Sequence, residues 1–239
     1  MTKKAIITGA TSGIGKALAQ LLSNKGYSLG LTGRRTELLE ELKSSLPGSV
    51  YICTMDVAQK DEAMEQFQQL IDKLDGLDLA IINAGCGQAN PDLNWEMEKQ
   101  VIDVNVMGFA ATANVAMRHF IKQGHGHLVG ISSVAAIRGY HDVPAYNASK
   151  AFVSNYLQGL RHKAVHARLP ITVTDIKPGF VDTKMAQGEK IFWRASTEVA
   201  ANQIYRAIVK KKSHAYVTKR WRLIAWLVKL LPQWLAHKL

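Results

Sequence analysis

Short apolar segments alternate with helix-type patterns along almost the whole chain. The apolar segments lie at 3–8, 27–33, 49–56, 77–85, 126–133, 171–179 and 214–217, and the helical patterns lie at about 13–26, 36–46, 59–74, 94–122, 145–167 and 196–211. Strands that are apolar throughout are buried on both faces, and parallel neighbours need crossover helices between them. The alternation therefore predicts an α/β fold, a single doubly wound Rossmann-like domain with a parallel sheet and helices on both faces.

Charge separates the end of the chain from its body. The 239 residues contain no internal repeat or polar linker, so we expect one domain over 1–218 and a basic tail over 219–239. Nine of the 30 Lys and Arg residues follow Glu198 and no acidic residue does, which leaves 21 basic against 19 acidic residues before that point. Because the body is nearly neutral, the net charge of +11 does not indicate a nucleic-acid partner.

The N-terminus, the cysteines and a pair of histidines bear on location and metal content. The apolar run that follows Met1 is too short for a signal peptide, and Cys53 and Cys86 lie in apolar or glycine-rich surroundings. These features favour reduced thiols and a cytoplasmic protein. His125 and His127 have no cluster of Cys, Asp or Glu beside them, so we expect a turn there and no metal site.

A glycine-rich turn, "TGATSGIG", directly follows the first apolar segment. Gly9, Gly13 and Gly15 open the next helix, although their spacing differs from the G-x-G-x-x-G form. Glycines there let the backbone approach a pyrophosphate, and the helix N-terminus supplies amide donors and partial positive charge. The turn predicts a dinucleotide site formed by these glycines together with Thr11, Ser12 and Ile14.

The end of the second apolar segment bears on the choice of dinucleotide. Sites that prefer NAD carry an acidic residue there for the ribose 2′-hydroxyl, whereas an Arg suits a 2′-phosphate. In this chain Gly33 takes the place of the acid, and Arg34 and Arg35 follow it. A guanidinium binds phosphate in bidentate fashion. Although a solvated basic turn is the alternative, we expect NADP(H) to be favoured over NAD(H).

A tyrosine and a lysine are one helical turn apart in "PAYNASKAF". Tyr146 and Lys150 are i and i+4 on the same helix face. An ammonium beside a phenol favours the phenolate and lowers a pKa that is ordinarily about 10. The pair therefore predicts a general acid or base that works near neutral pH.

Several motifs taken together resemble the classical short-chain dehydrogenase/reductase family. They are "TGATSGIG", "NAG" at 83–85, Asn105, Ser133 and "YNASK", and they occur in the family's order from residue 3 to about 217. The resemblance implies an NADP(H)-dependent oxidoreductase that interconverts a carbonyl and a secondary alcohol on a small molecule. A dinucleotide-sensing regulatory protein without turnover is the alternative, although such a protein would be expected to have lost the tyrosine or the lysine.

The resemblance also implies catalytic roles. Ser133, 13 residues before Tyr146, would hydrogen-bond the substrate carbonyl, and the neighbouring Ser132 would face away because adjacent strand residues point to opposite faces. Tyr146 would protonate the carbonyl oxygen. Lys150 would lower the pKa of Tyr146 and bind the nicotinamide ribose. Asn105 would hold a water that links Lys150 to solvent, or, as the alternative, bond the backbone.

Further cofactor contacts follow from the same resemblance. Asp56 and Val57 match the adenine-contacting pair, and the supporting motif of the central sheet is Asn83, Ala84 and Gly85. For Asp56 and Asn83 the alternative is capping of the strand ends. Pro178, Gly179, Val181 and Thr183 belong to a segment that would turn over the nicotinamide. The family's other common basic position, just before Gly13, holds Ser12, so one of two NADP signals is present.

The substrate pocket and the assembly are predicted more coarsely. Segments 86–95, 134–145 and 184–195 are expected to form the pocket, with 184–195 as a mobile lid. Within that lid Phe192 and Trp193 suggest an apolar ligand, or else core packing. By resemblance, the helices near 105–122 and 145–167 would pair with a symmetry mate, which predicts a homodimer or homotetramer.

The tail 219–239 has the pattern of an amphipathic helix. One face holds Leu223, Ile224, Leu227, Val228, Leu230 and Leu231, and the other holds Lys219, Arg222 and Lys229, with Trp226 at the edge and Arg220 as an exception. Before Pro232 the helix is about 20 Å long, too short for a hydrocarbon core of about 30 Å. Two alternatives remain: peripheral contact with the inner face of a membrane, or packing on the body or on a partner subunit.

Overall fold

The computed structural model describes residues 2–183, 185 and 193–230, and strands alternate with helices throughout this part. The strands are β1 Lys4–Ile7, β2 Ser28–Gly33, β3 Val50–Thr54, β4 Leu79–Ile82, β5 Gly126–Ile131, β6 Ile171–Pro178 and β7 His214–Val217. The helices are α1 Gly13–Asn24, α2 Thr36–Ser45, α3 Lys60–Leu74, α4 Trp95–Ile102, α5 Phe109–Gln123, α6 Pro144–His166, α7 Thr197–Val209 and α8 Trp221–Leu230. A π-helical turn, Asp103–Gly108, joins α4 to α5, and a 3-10 turn, Val134–Ile137, follows β5.

All seven strands form one parallel sheet in the order β3-β2-β1-β4-β5-β6-β7. The chain winds outward from β1 in one direction and from β4 in the other, so the strand order reverses between these two strands. Ligands of such sheets bind in the crevice at the carboxyl ends of the strands at this reversal. The predicted doubly wound α/β fold is therefore confirmed.

Two apolar layers hold the helices to the sheet. On one face, helices α1, α2 and α7 bury residues such as Leu18 and Leu42 against the strands. On the other face, α3, α5 and α6 bury Phe67, Phe120 and Leu157. Each fully buried side chain of this size contributes about 1.5–3 kcal/mol. The sheet is thus covered on both sides, which is why its central strands are apolar without alternation.

The structure differs from the predicted helix over 94–122. That segment is interrupted by the π-helical turn, which lies next to the loop after β3. A Cβ atom at Gly108 would lie 2.5 Å from the Val57 carbonyl oxygen, so this close approach requires glycine. A break of this kind is frequent at functional sites. An apolar repeat of 3.6 residues does not reveal it, because the cause is contact with a distant loop.

Several strands are also shorter than their apolar segments. β4 covers Leu79–Ile82 within the predicted 77–85, and β5 covers Gly126–Ile131 within 126–133. The residues just after these strands leave the sheet and enter the crevice described below. Apolar composition therefore predicts each strand but not the residue at which its ladder ends.

Helix α8 packs against the 3-10 turn and against β7, with Trp221 and Ala225 buried. The division of the chain into 1–218 and 219–239 stays a prediction. Leu231 and most of the predicted lid, including Phe192, lie outside the described residues. Within the described part of the chain, no helix has the length and apolar character needed to cross a bilayer.

Candidate active site

The glycine turn after β1 has the conformation that its sequence predicts. Gly9 and Gly13 have φ angles of 70° and 55°, in the left-handed region that favours glycine. A Cβ atom at Gly15 would lie 2.2 Å from the Gly9 carbonyl oxygen, so the start of α1 could not approach the turn with a larger residue. The N-terminus of α1 therefore opens directly onto the crevice.

A cavity of about 1070 Å³ lies at the carboxyl ends of the strands, beside this turn. Its walls include most of the predicted site residues: Gly9, Thr11, Ser12, Gly13, Ile14, Arg34, Arg35, Asp56, Val57, Asn83, Ala84, Gly85, Ser133, Tyr146, Lys150, Pro178, Gly179, Val181 and Thr183. Gly15 and Asn105 do not line it. Gly15 lies beneath the turn, and Asn105 is buried behind the wall.

The two arginines after β2 lie at one end of this cavity. The Arg35 guanidinium donates to Thr11 Oγ1 at 2.7 Å and to Ser12 Oγ at 3.3 Å. Arg34 lines the same cavity, and its charge lowers the pKa of the Cys86 thiol, although burial has the larger effect and raises it. A Cβ atom at Gly33 would lie 2.8 Å from Thr11 Cγ2, so an acidic side chain would not fit there without a shift.

Ser133 and Ser132 follow β5 and have different partners. The Ser133 hydroxyl lies close enough to Tyr146 to affect the pKa of the phenol; its Oγ accepts from the Ala135 amide at 3.1 Å and donates to the Pro178 carbonyl at 3.4 Å. Ser132 instead donates to a carboxylate oxygen of Asp175 and to the Ile176 carbonyl at 2.9 Å. Of the two serines, Ser133 therefore contacts the tyrosine.

Tyr146 and Lys150 project from the first turns of α6, which begins with Pro144. The Lys150 ammonium lies 5.8 Å from the centre of the Tyr146 ring and donates to the Ile131 carbonyl at 3.1 Å. A Cβ atom at Gly87 would lie 2.4 Å from Tyr146 Cδ2, so glycine there leaves room for the ring. Burial lowers the pKa of Lys150 to about 8, against smaller opposing effects of Cys86 and Asp175.

The expectation that Lys150 lowers the pKa of Tyr146 is not met. Burial is the largest influence, and it raises the pKa of the Tyr146 phenol because a phenolate is poorly solvated there. The group that acts to lower it is the nearby hydroxyl of Ser133. The i, i+4 spacing predicted the neighbouring charge but not the burial of the phenol, and burial has the larger effect on its pKa.

Asn105 lies in the π-helical turn and bonds chiefly to the backbone. Its Oδ1 accepts from the Cys86 amide at 2.9 Å, and its Nδ2 donates to the Cys86 carbonyl at 2.7 Å and to Ser149 Oγ at 3.0 Å. Both Asn105 Oδ1 and Lys150 Nζ come within 3.3 Å of the place that a Cβ atom would take at Gly85. Gly85 therefore keeps the space between the asparagine and the lysine open.

The "NAG" motif ties β4 to the glycine turn. Asn83 Nδ2 donates to the carbonyls of Thr8 at 3.0 Å and Gly9 at 3.1 Å, and the amides of Asn83 and Ala84 both donate to Thr8 Oγ1 at 3.0 Å. Asp56 Oδ1 accepts from the Ala58 amide at 3.0 Å, which closes the turn after β3. These bonds fix the shape of the crevice floor.

Sequence reasoning missed a buried polar network behind Ser133. The Asp175 carboxylate, on β6, accepts from Ser132 and from Ser154 Oγ at 2.6 Å, and it forms an ion pair with Lys177. It thereby joins the end of β5 to the helix that carries Tyr146 and Lys150. A lone acid within the apolar segment "ITVTDIKPG" was the available signal, since a buried charge requires partners.

The role of α8 in the site was also missed. Trp221, Ile224, Ala225 and Val228 line the cavity together with Val134 and Ile137 of the 3-10 turn, against which α8 packs. Trp221 packs edge-on against Phe180 with ring centres 5.3 Å apart, and a Cβ atom at Gly179 would lie 2.2 Å from its indole ring. The described part of the tail therefore packs on the body along one face.

The two histidines and two cysteines to which no catalytic role was assigned are accounted for by hydrogen bonds or by burial. His127 Nε2 bonds Thr174 Oγ1 at 2.8 Å, and burial lowers its pKa to about 4, which keeps it neutral. His125 Nδ1 bonds the side chain of Gln123 at 3.1 Å. Cys53 and Cys86 are free thiols, and burial raises the pKa of each.

These residues fit a nicotinamide dinucleotide. The glycine turn admits a pyrophosphate at the N-terminus of α1, and a Cβ atom at Gly13 would fill that space against Thr183 Cγ2, 3.0 Å away. The crevice is lined by the guanidinium groups of Arg34 and Arg35 as well as by Tyr146 and Lys150. The donor set suits an anionic, elongated ligand with hydroxyl groups near its reactive end.

Known proteins with similar sequences are oxidoreductases. The short chain dehydrogenase family profile matches residues 3–191. An uncharacterized oxidoreductase of Myxococcus xanthus is 37% identical over 189 residues, 77% of this chain and 74% of that protein. One from Mycobacterium tuberculosis is 32% identical over 239 residues, 96% of this chain and 92% of that protein.

Solved structures of similar fold support the family that the sequence comparisons indicate. The acetoin dehydrogenase of Salmonella typhimurium has a TM-score of 0.78 and 25% identity, covering 91% of this chain and 94% of its own. The NADPH-dependent 3-quinuclidinone reductase of Rhodotorula rubra has a TM-score of 0.77 and 26% identity, with coverages of 90% and 89%. A Burkholderia phymatum enzyme in complex with NAD, at 21% identity, supports the fold with a TM-score of 0.83 and coverages of 97% and 96%. Because the family profile spans most of the chain and these relatives match over most of their length, the chain belongs to the short-chain dehydrogenase/reductase family of NAD(P)-dependent oxidoreductases.

Proposed function

We propose that the protein is an NADP(H)-dependent oxidoreductase that interconverts a carbonyl and a secondary alcohol on an apolar or lipid-like substrate. The observation that carries the proposal is that Ser133, Tyr146 and Lys150 line one cavity, with Lys150 one helical turn beyond Tyr146 on α6, beside a glycine turn that suits a pyrophosphate. This arrangement puts a proton donor and a carbonyl-binding hydroxyl at the same point.

The residues that would hold the cofactor follow from their places in the crevice. The glycine turn with Thr11, Ser12 and Ile14 would bind the pyrophosphate, and Arg34 and Arg35 the 2′-phosphate. Asp56 and Val57 would contact adenine, with Asn83, Ala84 and Gly85 supporting the floor. The nicotinamide end would lie against Tyr146, Lys150, Pro178, Gly179, Val181 and Thr183. A bound nicotinamide supplies the hydride that adds to the carbonyl carbon.

The protein's own side chains would donate the proton to the carbonyl oxygen and stabilise the negative charges that develop. Tyr146 gives its proton to the carbonyl oxygen, and its raised pKa keeps the phenol protonated at neutral pH. Ser133 donates a hydrogen bond to the same oxygen and stabilises the charge that develops there. Lys150 stabilises the resulting phenolate and binds the ribose hydroxyls. Asn105, held by the Cys86 backbone, lies where a water could connect Lys150 to solvent.

The apolar walls support the substrate class. The cavity that Tyr146 lines is also lined by Val134, Ile137 and Phe180 together with the inner face of α8. Apolar walls with a few polar groups at the reacting end are typical of sites for hydrophobic small molecules. The test is a screen of NADPH consumption over ketones, aldehydes, ketosteroids and long-chain 3-keto compounds. Cofactor binding without turnover on any of them would instead favour the dinucleotide-sensing alternative.

Cofactor preference is expected to depend on Arg34. Loss of a charge-assisted phosphate contact costs about 1.5–3 kcal/mol, so Arg34→Ala should lower catalytic efficiency with NADPH about 10- to 150-fold while that with NADH changes little. The measurement is the ratio of the two efficiencies. Lys43→Ala, which removes one exposed charge from α2, is the control. An unchanged ratio in Arg34→Ala would reject the assignment and direct the same test to Arg35→Ala.

The assembly is proposed to be a homodimer or homotetramer. Apolar side chains remain exposed on the helices expected to pair, among them Met107 in the π-helical turn, Ile121 on α5 and Val165 on α6. Burial of the same patch on two copies is the arrangement that two-fold symmetry requires. Light scattering at micromolar concentration should therefore give at least twice the monomer mass of 26.4 kDa. A monomer under these conditions would contradict the proposal.

We also infer a cytoplasmic location, with 1–218 as the catalytic domain and 219–239 in peripheral contact with the inner face of a membrane. The free thiols Cys53 and Cys86 agree with a reducing compartment. Nucleic acid is not a proposed partner, because the basic surplus follows Glu198 and accompanies dense aliphatic residues.

A further inference from the structure

Helix α8 is apolar on two opposite sides. Residues on a helix advance by about 100° each, so positions 221, 224, 225 and 228 fall on one side and positions 223, 226, 227 and 230 on the other. The sequence pattern had placed Ile224 and Val228 on one broad face with Leu223 and Leu227. The structure divides that face between an inner side and an outer side.

The inner side belongs to the active-site cavity. Trp221 and Ala225 are buried, Ile224 and Val228 are half-buried, and all four line the cavity. The packing of α8 on the body therefore accounts for this side completely. It does not account for the outer side, which faces away from the cavity.

The outer side exposes four large apolar residues on a helix of ten residues. Leu223 is 69% exposed, Trp226 62%, Leu227 54% and Leu230 60%. Scattered apolar residues on a surface are ordinary, but a contiguous stripe marks an interaction site. The stripe borders the cavity wall, because Leu227 lies three residues after Ile224 and is therefore its neighbour on the helix surface.

Basic residues form one edge of this stripe. Arg222 and Lys229 fall between the outer apolar side and the inner side, and both are exposed. Lys219 and Arg220 lie exposed just before the helix, and no acidic residue occurs between 199 and 239. An apolar stripe with a basic edge and an interfacial Trp is the arrangement of helices that lie in the surface of an anionic membrane.

We propose that α8 lies in the interface of an anionic membrane, with its outer side among the acyl chains and its inner side closing the pocket. The substrate is then a membrane-soluble carbonyl compound that reaches Tyr146 by passing this helix. The part concerning the substrate rests on the proposed function, whereas the membrane contact does not. Ten residues give about 15 Å of helix, which suits a helix lying along the surface.

Charge favours a membrane over a second copy of the chain. In a two-fold interface the same patch meets itself, so Arg222 and Lys229 would lie near their own counterparts. Such an interface would bring basic groups together with no acid from this segment to offset them. Anionic headgroups instead supply the opposite charge.

The test is co-sedimentation of the full chain with vesicles. The wild type should bind phosphatidylglycerol–phosphatidylcholine vesicles at least ten-fold more tightly than vesicles of phosphatidylcholine alone. The variant Leu223→Gln/Leu227→Gln/Leu230→Gln should lose at least ten-fold in binding. Arg222→Gln/Lys229→Gln should weaken binding and flatten its dependence on salt.

Matched control variants carry the same kinds of substitution on other helices of the body. Val199→Gln/Val209→Gln alters exposed apolar residues on α7, and Lys43→Gln/Lys73→Gln removes exposed charges on α2 and α3. Both controls should bind as the wild type does. Recovery of the wild type in the supernatant with either vesicle, or equal losses in test and control variants, would overturn the proposal. Light scattering that shows a smaller assembly in the triple leucine variant, without vesicle binding by the wild type, would assign the stripe to a second copy.

Enzyme assays separate this proposal from the proposed function. With a water-soluble ketone as substrate, the triple leucine variant should keep wild-type NADPH oxidation, because its changes face away from the cavity. With an apolar ketone carried in the anionic vesicles, the same variant should show at least a five-fold lower rate. Vesicle binding without oxidation of any carbonyl would reject the proposed function and leave the membrane contact standing, whereas equal rates from vesicles would reject the substrate route.

Discussion

Replacement of Tyr146 by Phe is expected to remove nearly all turnover and to leave cofactor binding largely intact. The substitution deletes one hydroxyl, which the proposed mechanism uses to protonate the carbonyl oxygen and which lies near the hydroxyl of Ser133. General acid catalysis contributes about 10²- to 10⁴-fold, so kcat should fall within or beyond that range. Steady-state kinetics and an equilibrium titration with NADPH measure the two quantities separately.

Tyr140→Phe is the matched control for this experiment. Tyr140 lines the same cavity but is about half exposed, and its amide, not its hydroxyl, bonds Asn147 Oδ1 at 2.9 Å. The control should retain wild-type kcat within about three-fold. Full turnover in Tyr146→Phe would eliminate the tyrosine as the acid, and loss of NADPH binding there would show that the effect is structural.

Lys150→Ala is expected to impair both turnover and cofactor binding. Its ammonium lies 5.8 Å from the Tyr146 ring and would stabilise both the phenolate and the ribose contact. We expect kcat to fall on the order of 10²-fold or more, and cofactor affinity to weaken by about 1.5–3 kcal/mol. Lys163→Ala, which removes an exposed lysine from the end of the same helix, should leave both quantities unchanged.

The pH dependence supplies an independent readout for Lys150. Burial lowers its pKa to about 8, so its ammonium is present below that pH and is lost as the pH rises through it. The wild-type reduction rate should therefore decline above about pH 8, and this decline should disappear from the residual activity of Lys150→Ala. A decline at the same pH in the variant would assign the titration to another group.

Local signals in the sequence carried most of the fold and much of the site. The alternation of apolar and helical segments reflects burial of each strand on both faces, which any parallel sheet imposes. Gly9 and Gly13 could be identified because their left-handed φ angles favour glycine. Helix geometry alone predicts that Tyr146 and Lys150, four residues apart, lie on the same face of their helix.

Other features could not be obtained from local patterns. The π-helical turn 103–108 ends at Gly108, which lies against the Val57 backbone from a distant part of the chain. The buried carboxylate of Asp175 is held by Ser132 and Ser154, which lie 43 and 21 residues away in the chain. No periodic pattern in the sequence predicts that Ser132 and Ser154 bind Asp175.

The sequence by itself thus determined which residues form the sheet, the glycine turn and the helix that bears Tyr146, because each depends on backbone geometry and on the spacing of apolar residues. The tertiary structure decided the electrostatics and the walls of the site. Tyr146 has a raised pKa because packed neighbours exclude water from its phenol, and α8 faces the cavity because Trp221 meets Gly179. Both effects depend on contacts between residues far apart in the chain, and no spacing within one segment encodes them.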